Sequence, residues 1–266
     1  MVNPFALDGQ VALVVGAAHG GLGAVAARTL RDAGATLAVA DLAGRREDLR
    51  ATAAATDASE HEVDVTDEPS VAALLAAVRA EHGRVDVVVN AAGIMLRKPY
   101  DETTLEEFER VVRVNLTGTW LVGREAGRVM TAQLAEDRAR GASDAPAGRI
   151  VNLTTVYAER VGPVPESAYY SSKAGVVNVT RSLAQELGHL GITVNCLAPG
   201  VFYPTQMTAA LGEQPERLAW FAERTMLGRL GDPDRDLAGP LLLLAAPASS
   251  YLTGQVLYVD GGWSAW

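Results

Sequence analysis

The sequence predicts an α/β fold, a doubly wound parallel sheet of about seven strands flanked by helices, in a single domain that spans 1–266. Short β-branched runs alternate with longer alanine-rich amphipathic segments, as in chains that cross repeatedly over a parallel sheet. The runs at 11–15 and 85–89 are almost continuously apolar, which is typical of central strands buried on both faces. A chain of 266 residues can also bury one large core, and no linker between domains is evident.

The predicted elements follow one another in the order that a doubly wound sheet requires. Strands are predicted at 11–15, 36–40, 61–65, 85–89, 149–153 and 192–197, and a further strand signal lies in the C-terminal TGQVLYVDGG. Helices are predicted at roughly 21–33, 68–82, 104–130, 168–189 and 233–246. Right-handed crossovers between the strands then place helices on both faces of the sheet.

Two segments interrupt this alternation. Residues 135–149 are polar and rich in turn formers, so we predict a surface loop there. Residues 200–228 show no clear period, and we predict that they form a lid over a substrate, because loops beside ligands carry function and can close.

Charge and composition exclude several classes of partner. A net charge of −9 and a pI near 5.0 argue against nucleic acid and against anionic membranes. The most apolar stretch, 240–247, is far shorter than the ~20 residues of a membrane helix, so a buried helix is predicted. Cys196 has no partner for a disulfide, and MVNPFALDG lacks the pattern of a signal peptide, so we expect a cytoplasmic protein. We assign no metal ligands from the sequence.

A glycine-rich turn joins the first strand to the first helix. Gly16, Gly20, Gly21 and Gly23 lie in this turn, and the helix begins near Ala24. Glycines let backbone N–H groups approach a pyrophosphate, and the helix N-terminus adds partial positive charge. The turn is therefore a candidate anion site, although a glycine cluster is also compatible with a tight turn that binds nothing.

Acidic and small residues end the next strands. Asp41 follows the glycine turn by about 20 residues, where a carboxylate can accept hydrogen bonds from an adenosine ribose and would repel a 2′-phosphate. We therefore favour NAD(H) over NADP(H), unless Arg45 or Arg46 folds back to offset that repulsion; Asp41 could instead cap a helix. Asp64 either reaches the adenine or caps the helix that follows. The small residues at 90–93 leave room for a flat ligand.

These features, in this order, resemble the short-chain dehydrogenase/reductase family, and the resemblance covers nearly the whole chain. The motifs that carry it are the glycine loop at 16–23, Asp41, Asp64-Val65, Asn90-Ala91-Ala92-Gly93, Asn115 in VNLTG, Thr154-Thr155, Tyr169-x-x-x-Lys173, Asn195 to Gly200, and TGQVLYVDGG. It implies an oxidoreductase with a Rossmann-type domain. The cofactor contacts that it implies are Gly16, His19, Gly21, Leu22, Gly23, Asp41, Leu42, Asp64, Val65, Asn90, Ala91, Gly93, Tyr169, Lys173, Pro199, Gly200, Phe202 and Thr205.

The chain departs from the family pattern at three places. Val15 stands where the family has threonine, and the last glycine of the loop lies one residue further on, so either Gly20 or Gly21 makes the close approach. The usual catalytic serine is absent, and we assign its role to Thr155 rather than Thr154. The usual spacing from Tyr169 reaches Val156, which has no hydroxyl, so we place the extra residue in the intervening loop.

Tyr169 and Lys173 are the expected centre of the chemistry. Their i, i+4 spacing puts both side chains on one face of a helix, one turn apart. Such a pair is usually a solvated surface, but here it opens the helix after the fifth strand, at the sheet edge where α/β folds bind ligands. A phenol of pKa ~10 must be shifted by ~3 pKa units to act near pH 7, and an ammonium and an oxidised nicotinamide could both do so.

The resemblance assigns each catalytic residue a role. Tyr169 would be the general acid or base, Lys173 would also hold the nicotinamide ribose, and Thr155 would hydrogen-bond the substrate oxygen. Asn115 would keep a helix irregularity and a water relay open towards Lys173. Alternatively, the threonine could simply be a β-former that ends a strand, and Asn115 could be a polar residue inside a helix with a local partner.

The C-terminal part of the chain is rich in large apolar side chains. The large apolar side chains of the lid predict an apolar substrate pocket. Alternatively, they pack within the lid or contact another subunit. They are Phe202, Tyr203, Met207, Trp220, Phe221 and Met226. The terminal WSAW is expected to pack on a neighbouring subunit of a homotetramer, or of a homodimer, as the family implies. A monomer in solution would count against this.

The sequence thus predicts hydride transfer between NAD(H) and a bulky or cyclic apolar secondary alcohol or ketone. The first alternative is an NADPH-dependent ketoreductase. A second is a nucleotide-binding sensor or scaffold without catalysis, which the missing serine and altered glycine loop would favour. A sugar-nucleotide epimerase would need a larger substrate domain than the ~65 residues after Pro199 provide.

Overall fold

Seven parallel strands form one sheet in the computed structural model, which describes residues 3–142 and 148–265. The strands are Val11–Val15 (β1), Thr36–Asp41 (β2), Ser59–Glu62 (β3), Val87–Asn90 (β4), Arg149–Leu153 (β5), Thr193–Pro199 (β6) and Val256–Val259 (β7). Their spatial order is β3-β2-β1-β4-β5-β6-β7. The chain therefore changes direction across the sheet between β1 and β4, which is where doubly wound sheets open a ligand crevice.

Nine α-helices cover the two faces of this sheet in the described residues. They are Leu22–Asp32 (α1), Arg46–Thr56 (α2), Glu68–His82 (α3), Leu105–Val112 (α4), Gly118–Ala139 (α5), Ser167–Leu187 (α6), Pro215–Glu223 (α7), Pro233–Asp236 (α8) and Ala238–Ala245 (α9). A π-helical turn, Arg113–Thr117, joins α4 to α5. This arrangement confirms the predicted α/β fold with its parallel sheet.

The core has two halves, one on each face of the sheet. Alternate residues of β1 enter different halves: Val14 packs with α1 and α9, whereas Leu13 packs with α3, α5 and α6. This alternation follows from the two-residue period of a strand. Because both faces are covered, β1 is buried along its whole length, as its continuous apolar sequence predicts.

The sequence prediction omitted two helices, α2 and α7. The buried face of α2 consists of Leu49, Ala53 and two threonines, so its hydrophobic period is weak. The helix α7 is only nine residues long, and Phe221 is its one fully buried residue. Short helices with so few large buried side chains leave little signal in the sequence.

Several boundaries also differ from the prediction, most clearly those of β3 and of the loop at 135–149. β3 covers Ser59–Glu62 rather than 61–65, because the edge strand itself is polar and the buried Val63 and Val65 lie beyond it. Part of the predicted loop at 135–149 is helical, since α5 continues to Ala139; positions 143–147 of that loop lie outside the described residues. Most of the apolar stretch at 240–247 belongs to the helix α9, which is partly buried, through Leu241, Leu244 and Ala245. None of the described helices combines the length and the apolar character that crossing a bilayer requires.

Candidate active site

A cleft of about 350 Å³ opens at the carboxyl ends of β1, β4, β5 and β6. Its size and its mostly apolar lining are typical of small-molecule sites. Most of the residues predicted to contact a cofactor line it: Gly16, Gly21, Leu22, Gly23, Asp41, Leu42, Val65, Ala91, Gly93, Tyr169, Lys173, Pro199, Gly200, Phe202 and Thr205. Residues from distant parts of the chain are thus brought together along one cleft.

Three of the predicted contacts do not line this cleft. His19 is exposed, and its backbone N–H donates to the carbonyl of Asp48 at 3.1 Å. The Asp64 carboxylate is exposed and accepts from the backbone and hydroxyl of Thr66 at 2.8 and 2.7 Å, while Asp67 caps α3. Asn90 is buried beneath the cleft, where its amide donates to the Thr119 hydroxyl at 3.1 Å.

The glycine loop leaves a backbone-lined floor at the start of α1. Gly16 has φ +82°, and a Cβ there would lie 2.5 Å from the backbone nitrogen of Ala92. A Cβ on Gly23 would lie 2.0 Å from the carbonyl oxygen of Gly16. The N-terminus of α1, capped by Gly21, faces this floor, so the residues fit the pyrophosphate of a dinucleotide. Gly21 lines the cleft and Gly20 does not, which distinguishes the two candidates.

Asp41 is held at the other end of the same cleft. Its two carboxylate oxygens accept backbone hydrogen bonds from Ala18 and Leu42, both at 2.8 Å. This role is not the helix cap considered from the sequence. Arg45 is paired with Asp48 at 2.7 Å and Arg46 with Glu62. Both guanidinium groups are therefore already matched by carboxylates of the same chain.

Tyr169 and Lys173 share one buried face of α6, and both line the cleft. They retain 6% and 4% of their accessible surface. The Lys173 ammonium donates to the Leu153 carbonyl at the end of β5, at 2.8 Å. Burial disfavours the ammonium and lowers the pKa of Lys173 to about 8, against a small opposing effect of Cys196. The lysine thus remains charged at neutral pH.

The pKa of Tyr169 differs from the expectation that Lys173 would lower it. In the protein alone, burial raises the pKa of the phenol above its usual 10, and the nearby Glu166 carboxylate raises it further. A hydrogen bond from Thr155 acts in the opposite direction. Lys173 is not among the main influences on this pKa, because with a pKa of about 8 the lysine has already lost its charge at the higher pH where the phenol ionises. At neutral pH the free protein holds Tyr169 as a neutral phenol.

The two threonines after β5 have different environments. The Thr154 hydroxyl donates to the backbone carbonyl of Lys173 at 2.9 Å, which joins β5 to α6. The Thr155 hydroxyl makes only long contacts with the backbone, at 3.4 and 3.5 Å, and hydrogen-bonds the phenol of Tyr169. Thr155 is thus the threonine whose hydroxyl interacts with the Tyr169 phenol.

Asn115 lies in the π-helical turn between α4 and α5, where the sequence predicted a helix irregularity. Its side chain holds the segment after β4, accepting from the Ile94 backbone at 2.8 Å and donating to its carbonyl at 2.9 Å. The same amide donates to Ser172 of α6 at 3.0 Å. Its oxygen and the Lys173 ammonium would both lie 3.3 Å from a Cβ on Gly93, so the three residues meet at one point.

A half-exposed ion pair in the cleft wall was not predicted from the sequence. The Arg97 guanidinium donates to the Glu166 carboxylate at 2.8 Å, and the Glu166 side chain is only 3% exposed. Both residues line the cleft beside Tyr169. Their separation of 69 positions along the chain left no local pattern from which to infer the pair. An apolar substrate pocket was expected, but the cleft wall beside Tyr169 contains this ion pair.

The lid residues divide into those that line the cleft and those that do not. Phe202, Met207 and Phe221 line it, whereas Tyr203, Trp220 and Met226 do not. Trp263 packs on its own chain, with ring centroids 5.9 Å from Tyr157, 6.2 Å from Trp220 and 6.0 Å from Phe221. Trp263 thus makes intramolecular contacts that support the lid, and a contact of the C-terminal tryptophans with another subunit stays a prediction. Trp266 lies outside the described residues.

Comparison with known proteins gives consistent matches over the full chain. A family model described as enoyl-(acyl carrier protein) reductase matches residues 16–264. The cis-4-hydroxycyclohexanecarboxylate dehydrogenase of Sinomonas cyclohexanicum is 38% identical over 261 residues, covering 96% of this chain and 97% of that protein. The 3-oxoacyl-(acyl-carrier-protein) reductase of Aquifex aeolicus is 34% identical over 260 residues, covering 96% and 98%.

A solved structure extends this similarity to the fold. The crystal structure of a gluconate 5-dehydrogenase from Burkholderia cenocepacia, in complex with NADP and tartrate, superposes with a TM-score of 0.87 at 30% identity. The match covers 99% of this chain and 98% of that one.

Proposed function

The chain belongs to the short-chain dehydrogenase/reductase family and is an NAD(P)-dependent oxidoreductase of CH–OH groups; from this premise we propose that it transfers a hydride between NAD(H) and a bulky or cyclic secondary alcohol or its ketone. The observation that carries the proposal is the position of Tyr169 and Lys173, buried together on α6 in a cleft that the glycine loop also lines. A scaffold without chemistry would have no need of a buried phenol and a buried ammonium at this place.

Tyr169 is the general acid and base of the proposed reaction. As a neutral phenol it donates its proton to the carbonyl oxygen of a ketone, and as a phenolate it takes the proton of an alcohol. Thr155, which hydrogen-bonds the phenol in the free protein, would hydrogen-bond the same substrate oxygen and so hold it next to the phenol. When bound, the nicotinamide supplies or accepts the hydride.

The remaining residues hold and orient the reactants. The glycine loop and the N-terminus of α1 would bind the pyrophosphate, and Asp41 the adenosine ribose. Lys173 would bind the nicotinamide ribose, and its positive charge favours the phenolate of Tyr169 once both face the same ligand. Asn115 positions Lys173 indirectly, by holding the segment around Ile94 and by bonding Ser172.

Preference for NAD(H) over NADP(H) is part of the proposal. Asp41 presents a carboxylate where a 2′-phosphate would lie, and Arg45 and Arg46 are engaged by Asp48 and Glu62. Releasing either arginine to bind a phosphate would break an existing ion pair. A similar structure contains NADP, so the alternative is an NADPH-dependent ketoreductase, and comparing rates with NAD and NADP separates the two.

The shape of the cleft supports a substrate with a bulky apolar body. The apolar part of the cleft wall includes Met95, Val164 and Phe221. The Arg97–Glu166 ion pair adds a charged group to this wall. The terminal nitrogens of Arg97 can donate to a carboxylate or hydroxyl at the far end of a substrate. The names of similar proteins, which act on a hydroxycyclohexanecarboxylate and on gluconate, agree with this class.

A panel of secondary alcohols with NAD and NADP tests the function and the cofactor together. We expect reduction of NAD by cyclic alcohols, including 4-hydroxycyclohexanecarboxylates, with kcat/KM at least about tenfold higher than with NADP. Asp41→Asn, which removes the negative charge but keeps the shape, should reduce this preference. Equal or better rates with NADP would establish the ketoreductase alternative. Binding of NADH without turnover of any alcohol or ketone would instead favour a sensor or scaffold.

We propose, in addition, a cytoplasmic homotetramer. Besides the C-terminal tryptophans expected to pack on a neighbouring subunit, exposed apolar side chains on the helices α4 and α5 support an oligomer. Leu105 and Trp120 on these helices are 72% and 41% exposed, and large apolar side chains of this kind are frequent in subunit contacts.

A further inference from the structure

A group of three metal-ligating side chains lies away from the cleft, at the edge of the sheet. His61 belongs to β3, whose one neighbour in the sheet is β2, and Glu81 and His82 end α3. The ligand atoms of these three residues all lie within 4.8 Å of one another. None of the three lines the catalytic cleft, so the group is separate from the proposed chemistry.

The two imidazole rings converge on one point. The hydroxyl of Ser59 lies 3.0 Å from Nε2 of His61 and 2.7 Å from Nε2 of His82. A hydroxyl has one proton and can donate to one of these nitrogens only, so the other ring must donate to it. Both Nε2 atoms, which are the usual ligand atoms of histidine, are therefore directed at the same small volume.

The carboxylate of Glu81 completes the set from the helix side. Its Oε2 lies 3.5 Å from Nε2 of His61. In a tetrahedral zinc site with bonds of ~2.0–2.1 Å, ligand atoms are separated by about 3.3 Å. The present spacing thus needs only small side-chain rotations, and Glu81 and His82 lie at a helix end where such rotations are open to them.

We propose that His61, Glu81 and His82 bind one zinc ion, with water in the remaining position. Two imidazoles and a carboxylate are a ligand set that zinc takes, and the half-open position of the group leaves a path for the ion. Bound zinc would tie the edge strand β3 to the end of α3. Because the ion binds the folded chain and joins segments that are apart in the unfolded chain, it would raise stability.

The sequence analysis assigned no metal ligands because these residues show no metal-binding spacing. His61 lies on β3 and Glu81 in the last turn of α3, so most of that helix lies between them along the chain. Only the packing of α3 beside the edge strand brings them together.

Zinc titration of the untagged full chain, after treatment with a chelator, tests the proposal. We expect one zinc per chain by calorimetry, and a rise in Tm of about 5 °C at a free zinc concentration a hundredfold above Kd. His61→Ala and His82→Ala should each weaken binding by at least about tenfold, and Glu81→Gln should weaken it as well.

Two variants serve as matched controls. His189→Ala removes an exposed histidine outside the group, and Ser59→Ala removes the bridging hydroxyl but keeps all three ligands; both should bind zinc within a few-fold of the wild type. Alcohol oxidation should be the same in the His61→Ala protein. Absence of stoichiometric binding, or binding that the histidine substitutions leave unchanged, would overturn the proposal. If the His82→Ala protein fails to fold, zinc binding by the Glu81→Gln protein provides the test, because this substitution changes only one exposed side chain.

Discussion

Tyr169→Phe is expected to lower kcat by at least about a thousandfold while the Kd for NADH stays within a few-fold of the wild-type value. General acid–base catalysis contributes about 10²–10⁴ to a rate, and Tyr169 is also the hydrogen-bond partner of Thr155 at the reacting oxygen. Phenylalanine keeps the buried ring and its contacts but has no proton to exchange. Steady-state kinetics on an alcohol from the panel, combined with fluorescence titration of NADH, separates the two effects.

The neighbouring tyrosine provides a matched control. Tyr170 is buried on the same helix, and its hydroxyl donates to the Val164 carbonyl at 2.9 Å rather than to a catalytic group. Tyr170→Phe should therefore keep kcat within about tenfold and lose about 1 kcal/mol of stability. Comparable activity in Tyr169→Phe and the wild type would show that another group moves the proton.

Lys173→Met is expected to lower activity and raise stability at the same time. Loss of the ammonium should reduce kcat/KM by at least about a hundredfold, because both the ribose contact and the positive charge disappear. Lowering the pKa from 10.5 to about 8 means that the buried charge destabilises the fold by about 3 kcal/mol at neutral pH. The hydrogen bond from Lys173 to the Leu153 carbonyl offsets about 1 kcal/mol of this cost. The Lys173→Met protein should therefore melt about 4 °C higher than the wild type.

The cost in stability of burying the Lys173 charge depends on pH. Below about pH 8 Lys173 is charged in both the folded and the unfolded chain, and the full cost of burying the charge is present. Between about pH 8 and 10.5 the folded protein loses the proton first, so the cost falls. The stability difference between Lys173→Met and the wild type should therefore be largest below pH 8 and shrink above it.

The second lysine is the control for this variant. Lys98 is paired with Glu107 at 2.9 Å near the surface, and Lys98→Met should change neither kcat nor, by more than about 1 kcal/mol, the stability. A Lys173→Met protein that is less stable than the wild type at pH 7 would show that the ammonium is better solvated or paired than its burial implies.

Strands and helices with a strong period could be predicted from the sequence, and polar or short elements could not. The buried strands β1 and β5 were placed to the residue because their apolar runs are bounded by turn residues. The edge strand β3, with the sequence SEHE, has no apolar signal at all. Its position depends on backbone pairing with β2, which a hydropathy pattern does not report.

In the candidate site, too, residues with a fixed local spacing could be predicted, and residues that meet through distant contacts could not. Tyr169, Lys173 and the glycine loop were found because their chemistry requires a fixed local spacing, and Asn115 because its motif is local too. Arg97 and Glu166 acquire their meaning only from a contact between distant segments. The pKa values also depend on such contacts: the sequence led to an expected acidic phenol, whereas burial and Glu166 raise the pKa of Tyr169 in the free protein.

Titration of tyrosinate absorbance measures whether Tyr169 exchanges a proton in the cleft when the dinucleotide is bound, as we propose. The wild type and Tyr169→Phe are titrated with and without NAD, and their difference isolates the one phenol. In the free protein we expect no ionisation of Tyr169 below about pH 10, since burial and Glu166 raise its pKa. With NAD bound, the positive charge of the nicotinamide beside Lys173 should bring this ionisation down by at least about one pH unit. Identical titrations with and without NAD would contradict the account.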